Sequence, residues 1–163
     1  MAKEIERRFL VQKALWQAIG RPAACGFDAI RQGFLSTVKE RVVRVRVVGE
    51  RGILTIKGLT RGFSKVEFEY DIPLADAQSL LDELCEHPLI EKVRYRVEHG
   101  GVLWEVDEFS GENKGLLLAE VELADEQQPV ELPVWVGQEV SSDVRYFNSN
   151  LSVMPFSRWG EVH

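Results

Sequence analysis

Cysteine, histidine and methionine are scarce in this sequence, at two, three and two residues of 163. Cys25 and Cys85, behind no secretory leader, cannot build a disulfide framework, so both are expected as free thiols in a reducing compartment. The charged start Ala2-Lys3-Glu4-Ile5-Glu6-Arg7-Arg8 lacks the apolar stretch of a signal peptide, and a cytoplasmic protein is expected. No apolar run reaches the length of a bilayer span, which argues against a membrane role. A basic surplus is also missing. The net charge of −6 and pI near 5.2 exclude a protein that holds a nucleic-acid duplex by bulk electrostatics, so any basic cluster has to be local. Several chemistries lack their residues. There is no Walker-type or Gly-x-Gly-x-x-Gly loop, no Gly-x-Ser-x-Gly elbow, and no cysteine or histidine at zinc-ligand spacing. His87, His99 and His163 fall at a helix end, a turn and the C-terminus, where surface positions are expected.

What the chain does have is strict alternation of charged with apolar residues, the period of a strand with one face in each environment. Glu4, Glu6 and Arg8 share one face, with Ile5 and Phe9 on the other. Arg44 and Arg46 alternate with Val43, Val45 and Val47 across 42–48, and Lys57 ends the run 53–57. Lys65, Glu67 and Glu69 alternate with Val66, Phe68 and Tyr70, and Lys92, Arg94 and Arg96 with Val93, Tyr95 and Val97. Glu105 and Asp107 face away from Trp104 and Val106, and Glu120 and Glu122 from Ala119, Val121 and Leu123. Turn residues around Gly49, 58–62, 98–101 and 110–113 separate these runs and suggest an antiparallel meander.

Three segments break the alternation. Residues 75–87 place Ala77, Leu80, Leu81, Leu84 and Cys85 on one helical stripe, with Pro88 as a stop. Residues 13–19 and 143–151 are shorter helix candidates. The four tryptophans, Trp16, Trp104, Trp135 and Trp159, are expected in packing. With 45% hydrophobic residues, 1–163 is the size of a single domain with its own core.

Periodicity alone leaves two architectures open: an amphipathic open sheet with its polar face in water, and a closed barrel with the charges inside. The polar positions favour the second, because they carry almost no Ser, Thr or Gln and run in blocks of one sign. A face gathering Arg44, Arg46, Lys57, Lys65, Lys92, Arg94 and Arg96 would repel itself unless acidic strands or a bound polyanion compensate. Arginine forks and lysine ammonium groups match phosphate oxygens, and so many of them match a polyphosphate better than a single phosphate. Carboxylates at i and i+2, as in Glu4/Glu6, Glu67/Glu69, Glu105/Asp107 and Glu120/Glu122, suit Mg²⁺ or Mn²⁺ shared with substrate phosphates.

In chain order, the segments Glu4-Ile5-Glu6-Arg7-Arg8, Gln32-Gly33-Phe34-Leu35, Arg44-Val45-Arg46, Leu54-Thr55-Ile56-Lys57-Gly58, Glu67-Phe68-Glu69-Tyr70, Lys92-Val93-Arg94-Tyr95, Trp104-Glu105-Val106-Asp107, Ala119-Glu120-Val121-Glu122-Leu123 and Arg145-Tyr146-Phe147-Asn148 resemble the CYTH superfamily. These are the triphosphate tunnel metalloenzymes, and the likeness is to their short single-domain bacterial branch. The resemblance implies a β-dominated α+β domain whose eight antiparallel strands close into a barrel around a charged tunnel. It implies binding of a triphosphate with Mg²⁺ or Mn²⁺, and hydrolysis of inorganic tripolyphosphate is the simplest activity for so short a chain. The superfamily also includes thiamine triphosphatases, RNA triphosphatases and class IV adenylate cyclases. Carried over, Arg44, Arg46, Lys57, Lys92, Arg94 and Arg145 would hold phosphates, with Arg8 and Lys65 beside them. Asp107, Glu120 and Glu122 would hold a first metal, and Glu4 and Glu6 a second metal or the attacking water. The catalytic set is then Glu4, Glu6, Arg8 and Lys92.

Two positions depart from the pattern. Arg8 stands where the signature ends in lysine, and arginine can bind phosphate but cannot act as a base. Phe34 replaces a tyrosine, removing a hydroxyl. These departures keep a non-catalytic polyphosphate-binding module open beside the hydrolase; an adenylate cyclase, a thiamine triphosphatase and a homodimer formed through the outer apolar strands stay open independently of them.

Overall fold

The computed structural model describes residues 5–59 and 66–161, and it is organised by one antiparallel sheet. Its strands are β1 (Glu6–Val11), β2 (Gly26–Ser36), β3 (Val42–Val48), β4 (Arg51–Lys57), β5 (Glu67–Ile72), β6 (Ile90–His99), β7 (Val102–Phe109), β8 (Leu117–Glu122) and β9 (Val136–Glu139). Their order across the sheet is β5-β4-β3-β2-β6-β7-β8-β1-β9. Two hairpin runs, β2 to β5 and β6 to β8, meet where β2 pairs β6, and β1 returns to pair β8. The tight β6–β7 turn needs left-handed backbone, which Gly100 and Gly101 supply at φ 61° and 78°. Glu4 and Lys65 lie outside the described residues.

All seven alternating runs are strands. Against the expected closed eight-stranded barrel, the described residues form a sheet of nine strands that is open among them, with β5 and β9 as its edges. The physical reason lies at β1. Its outer edge, which closure onto β5 would need, is taken by β9 through pairs Phe9–Glu139 and Val11–Val136, with a register shift between them. At the opposite edge, Glu69, Tyr70 and Asp71 of β5 are exposed, the kind of charged edge that resists further pairing.

The apolar faces are covered over much of the sheet, though Phe68 and Tyr70 on β5 stay exposed. Phe9, Val97, Trp104, Val106, Ala119 and Val121 pack beneath Trp16 and Trp135. Trp135 meets Trp16 at 5.0 Å and Trp104 at 6.0 Å between ring centroids, both edge-on, a geometry aromatic pairs prefer. The expected helix at 13–19 is a single turn, α1 (Lys13–Leu15), that widens into a π turn over Trp16–Gly20. A Cβ at Gly20 would collide with the Trp16 indole, so glycine is required where the indole lies.

The second cover is α2 (Leu74–Glu83), which buries Ala77 and Leu81 against Val45 and Cys85. It ends four residues earlier than its stripe suggests, so Leu84 is exposed while Cys85 turns back into the core. Both cysteines are free, and burial pushes the Cys85 thiol up to about 11. The third candidate helix divides into a 3₁₀ turn (Val144–Tyr146) and α3 (Asn148–Val153). No helix among the described residues is long and apolar enough to cross a membrane.

Not every ion pair matters to this frame. Arg7 Nη2 lies 2.7 Å from Glu139 Oε1 across the β1–β9 edge, but both side chains are more than a third exposed. Such pairs contribute about 0–1 kcal/mol. Glu139→Gln is therefore expected to move the urea midpoint little, and a larger shift would show that β9 depends on this pair.

Candidate functional site

The strand registers put the charged residues on one face. Arg44 stands opposite Phe34 and Thr55, and Arg46 opposite Gln32 and Ile53. Arg94 stands opposite Asp107, Glu105 opposite Glu120, Arg8 opposite Glu120, and Glu6 opposite Glu122. In a flat sheet β3 and β8 would be about 19 Å apart at the usual strand spacing. Yet Phe34 of β2 and Leu118 of β8 belong to one apolar cluster, with Val42 of β3 and Leu10 of β1 packed against it. The sheet is curled, with the charged face inside the curve.

One end of that face is closed by apolar packing. Phe34, Ile90, Phe109 and Leu118 point inward there and meet Val140, Tyr146 and Leu151 of the C-terminal segment. Phe34 thus sits in an apolar cluster and belongs to the floor of the site. The close approach of β2 to the end of α2 explains the glycine beside it, since a Cβ at Gly33 would lie 2.8 Å from Cys85 Cβ and Leu89 Cδ2.

Asp107 is the hub of the interior charges. Lys92 Nζ donates to Asp107 Oδ2 at 2.7 Å, while Arg94 Nε donates to Oδ1 at 2.7 Å and Arg94 Nη2 to Oδ2 at 2.9 Å. Burial alone would raise the Asp107 carboxyl, but Lys92 and Arg94 outweigh it and hold it well below the ordinary carboxylate range. The Lys92 side chain has 0% exposure. Burial pushes its amine down to about 7, with Arg94 and Arg46 adding to the shift and Asp107 opposing it. Burial would also lower Arg94, yet Asp107, Glu120 and Glu105 keep it above its ordinary value.

Arg8 is buried at the other end of this network. Its Nε donates to Glu120 Oε1 and its Nη2 to Glu6 Oε1, both at 3.1 Å, and its guanidinium lies 5.0 Å from the centre of the Phe147 ring. It holds the acidic strands β1 and β8 together, a task for which a planar fork suits better than an ammonium.

Arg46 differs from these cations. Its Nε donates at 2.7 Å to Gln32 Oε1, a neutral amide. Burial, then the neighbouring Arg44 and Arg94, push its guanidinium down to about 9. Gln32 Nε2 in turn donates to Asn148 Oδ1 at 2.8 Å, which also accepts from Lys92 Nζ at 3.0 Å. Arg44 Nη2 donates to the Thr55 hydroxyl at 3.2 Å.

The structure therefore brings together Arg8, Arg44, Arg46, Lys92, Arg94, Asp107 and Glu120 from the sequence-predicted set. Glu6, Lys57 and Glu122 share their face by register. Lys92 contacts Asp107, Asn148 and the Phe109 ring, so in this arrangement it lies behind the arginines. Arg145 is not brought in. It stands on the 3₁₀ turn with its side chain 61% exposed, its Nη2 2.6 Å from Asp143 Oδ2 and its guanidinium over the Trp159 ring. Sequence reasoning did not single out Gln32 or Asn148 as site residues. Both fall within matched motifs, but neutral amides leave no charge period to read.

The donor set also bears on metal binding. Mg²⁺ and Mn²⁺ take oxygen ligands. Glu6, Glu105, Glu120 and Glu122 offer them on three adjacent strands, as two directly opposed acid pairs, an arrangement that is destabilising without a cation between them. Arg8 and Arg94 provide some compensation. Among the described residues no three carboxylates converge on one point. The chemistry of the set fits a hard divalent ion, with Glu6, Glu105 and Glu122 the more open of the four, Glu120 largely buried beside Arg8, and Asp107 already engaged by two cations.

Comparison with known proteins agrees with this geometry. The model of the CYTH domain matches residues 2–152. An inorganic triphosphatase from Acetivibrio thermocellus is 44% identical over 161 residues, covering 99% of this chain and all of that protein. Another, from Nitrosomonas europaea, is 34% identical over 154 residues, covering 92% of this chain and 97% of that one. A solved crystal structure of an inorganic triphosphatase superposes with a TM-score of 0.67 at 31% identity, covering 94% of this chain and 96% of the other. With a curled antiparallel sheet, opposed cationic and acidic strands on its inner face and these full-length likenesses, the chain belongs to the CYTH domain family.

Proposed function

We propose that this protein is a metal-dependent inorganic triphosphatase that hydrolyses tripolyphosphate to pyrophosphate and phosphate. The observation that carries the reading is Arg46, a partly buried cation that donates to a neutral amide and shares the inner face of β3 with Arg44, the repulsion from Arg44 and Arg94 being only partly opposed by Asp107 and Glu120. A polyanion lying along β3 and β6 would relieve that repulsion and raise the Arg46 guanidinium back toward its ordinary value. The A. thermocellus and N. europaea relatives, both named inorganic triphosphatase, support the same substrate class.

In this reading Arg44, Arg46 and Arg94 bind the phosphate chain, with Lys57 at the end of β4 and the buried Lys92 amine fixed behind them by Asp107. Glu6, Glu120 and Glu122 hold a divalent ion, Mg²⁺ or Mn²⁺, which neutralises phosphate charge when bound. Glu6, beside Arg8 and more open than Glu120, orients the attacking water and takes its proton. The water oxygen bonds to the terminal phosphorus, the bond from that phosphorus to the bridging oxygen breaks, and pyrophosphate leaves with the electron pair. Arg8 cannot take the proton, because its guanidinium stays charged; it fixes Glu6 and Glu120 instead.

The test is phosphate release from tripolyphosphate, ATP and thiamine triphosphate with Mg²⁺ or Mn²⁺. Release from tripolyphosphate is expected to be fastest. Binding without release would leave a polyphosphate-binding module, and cyclic AMP formation from ATP would make the protein a cyclase. Arg46→Ala is expected to weaken tripolyphosphate binding about 10- to 100-fold, the size of one charge-assisted phosphate contact. Calorimetry measures this, and unchanged affinity would remove Arg46 from the site.

A further inference from the structure

Gln32 and Asn148 form a hydrogen-bonded chain between two donor-only cations. Lys92 and Arg46 have no acceptor to offer, so each amide must turn its oxygen toward its cation. Both orientations are satisfied at once: Asn148 Oδ1 accepts from Lys92 and Gln32, and Gln32 Oε1 accepts from Arg46. Gln32 has 0% exposure, so water does not compete for its amide. Carboxylates could hold the same cations in the same places, as Asp107 does for Arg94 and Lys92. They would also cancel the charge.

We propose that Gln32 and Asn148 are charge-preserving positioning residues, which fix the Arg46 guanidinium for phosphate while leaving its positive charge available to a bound polyphosphate. The inference rests on the triphosphate reading above. It places a specificity for highly charged anions in two neutral side chains from separate elements, β2 and the first residue of α3.

Two near-isosteric variants separate this role from a structural one. Gln32→Glu keeps the acceptor for Arg46 but neutralises it; Gln32→Met removes the acceptor and leaves the charge. If the residue only held the fold together, Gln32→Met would be the worse variant in every measurement. The proposal expects the order to cross. Gln32→Glu should weaken tripolyphosphate binding about 10- to 100-fold, more than Gln32→Met does, while Gln32→Met loses more stability in urea. Asn148→Asp should weaken binding in the same direction as Gln32→Glu.

Calorimetry with tripolyphosphate and with pyrophosphate, beside a phosphate-release assay on the same full-length proteins, gives the decision. Native binding that Gln32→Glu leaves intact, or weakens less than Gln32→Met does, overturns the positioning role alone. Native binding without phosphate release overturns the hydrolase and leaves the positioning role standing if the order still crosses. No binding of either polyphosphate by the native chain overturns both.

Discussion

Asp107→Ala is expected to destabilise the protein by about 3–5 kcal/mol, the usual cost of removing one partner from a buried ion pair. The reason is what remains behind. Lys92 would keep a side chain with 0% exposure and no carboxylate, and Arg94 would lose its two-pronged partner. Against a total stability of about 5–15 kcal/mol for an ordinary domain, that is a large fraction. Urea unfolding measures it. Adding Lys92→Met should recover part of the loss, because the buried amine left without its partner goes with it. A single-variant loss below about 1 kcal/mol would show that Asp107 is not the hub of the interior.

The same pair makes stability depend on pH in two windows. Asp107 is held below its ordinary 3.8, so the stability it contributes is present above that value and is lost as the pH falls through its lower folded value. Lys92 acts in the same direction in a higher window. Between about 7 and its ordinary 10.5 the unfolded chain keeps a proton that the folded chain has released, so its contribution to stability rises with pH across that window. The rise should be shallower in Lys92→Met, and an equal slope in both proteins would contradict the lowered Lys92.

The contrast between this pair and the edge pair Arg7–Glu139 shows which parts of the molecule were legible in the sequence. Alternation was readable because each strand has helices or loops on one face and charges on the other; β3 was placed correctly at both ends. β2 escaped because its inner face carries Asp28, Ile30, Gln32 and Phe34, an acid, an aliphatic, an amide and an aromatic, with no single period to follow. β9 escaped because it is four residues long and contains Gly137. With β9 unread, the strand that occupies the outer edge of β1 was also unread. Arg145 looked like its basic relatives in sequence, but Asp143 two residues earlier holds it at the surface. A charge can be counted from sequence; its partner across the sheet cannot.

That distinction also explains Arg8. The substitution of arginine for lysine raises the question of proton transfer only if the position touches the reacting atoms. Here Arg8 is occupied by Glu6 and Glu120, and it draws them toward each other from adjacent strands. Its role is to hold acids where a cation is needed.

Metal removal should accordingly have the largest effect on activity. Treatment with EDTA is expected to reduce phosphate release from tripolyphosphate to background, and added Mg²⁺ or Mn²⁺ to restore it, because the pairs Glu6–Glu122 and Glu105–Glu120 set like charges face to face, which a divalent ion would relieve. Glu120→Gln sharpens the test. The substitution keeps the side-chain shape and an oxygen for Arg8 but removes the charge that faces Arg8 of β1 and Arg94 of β6, and it should lower kcat by about 10²–10³, the scale of one lost electrostatic contact to the transition state. Its effect on stability should be much smaller than that of Asp107→Ala, since Arg8 keeps Glu6 and Arg94 keeps Asp107. Mn²⁺ titration in the absence of substrate then separates binding from chemistry: weaker binding in Glu120→Gln places the ion on β8, whereas native affinity with reduced kcat would move Glu120 from the ion to the water or phosphate. Full activity after EDTA would end the metal-dependent reading.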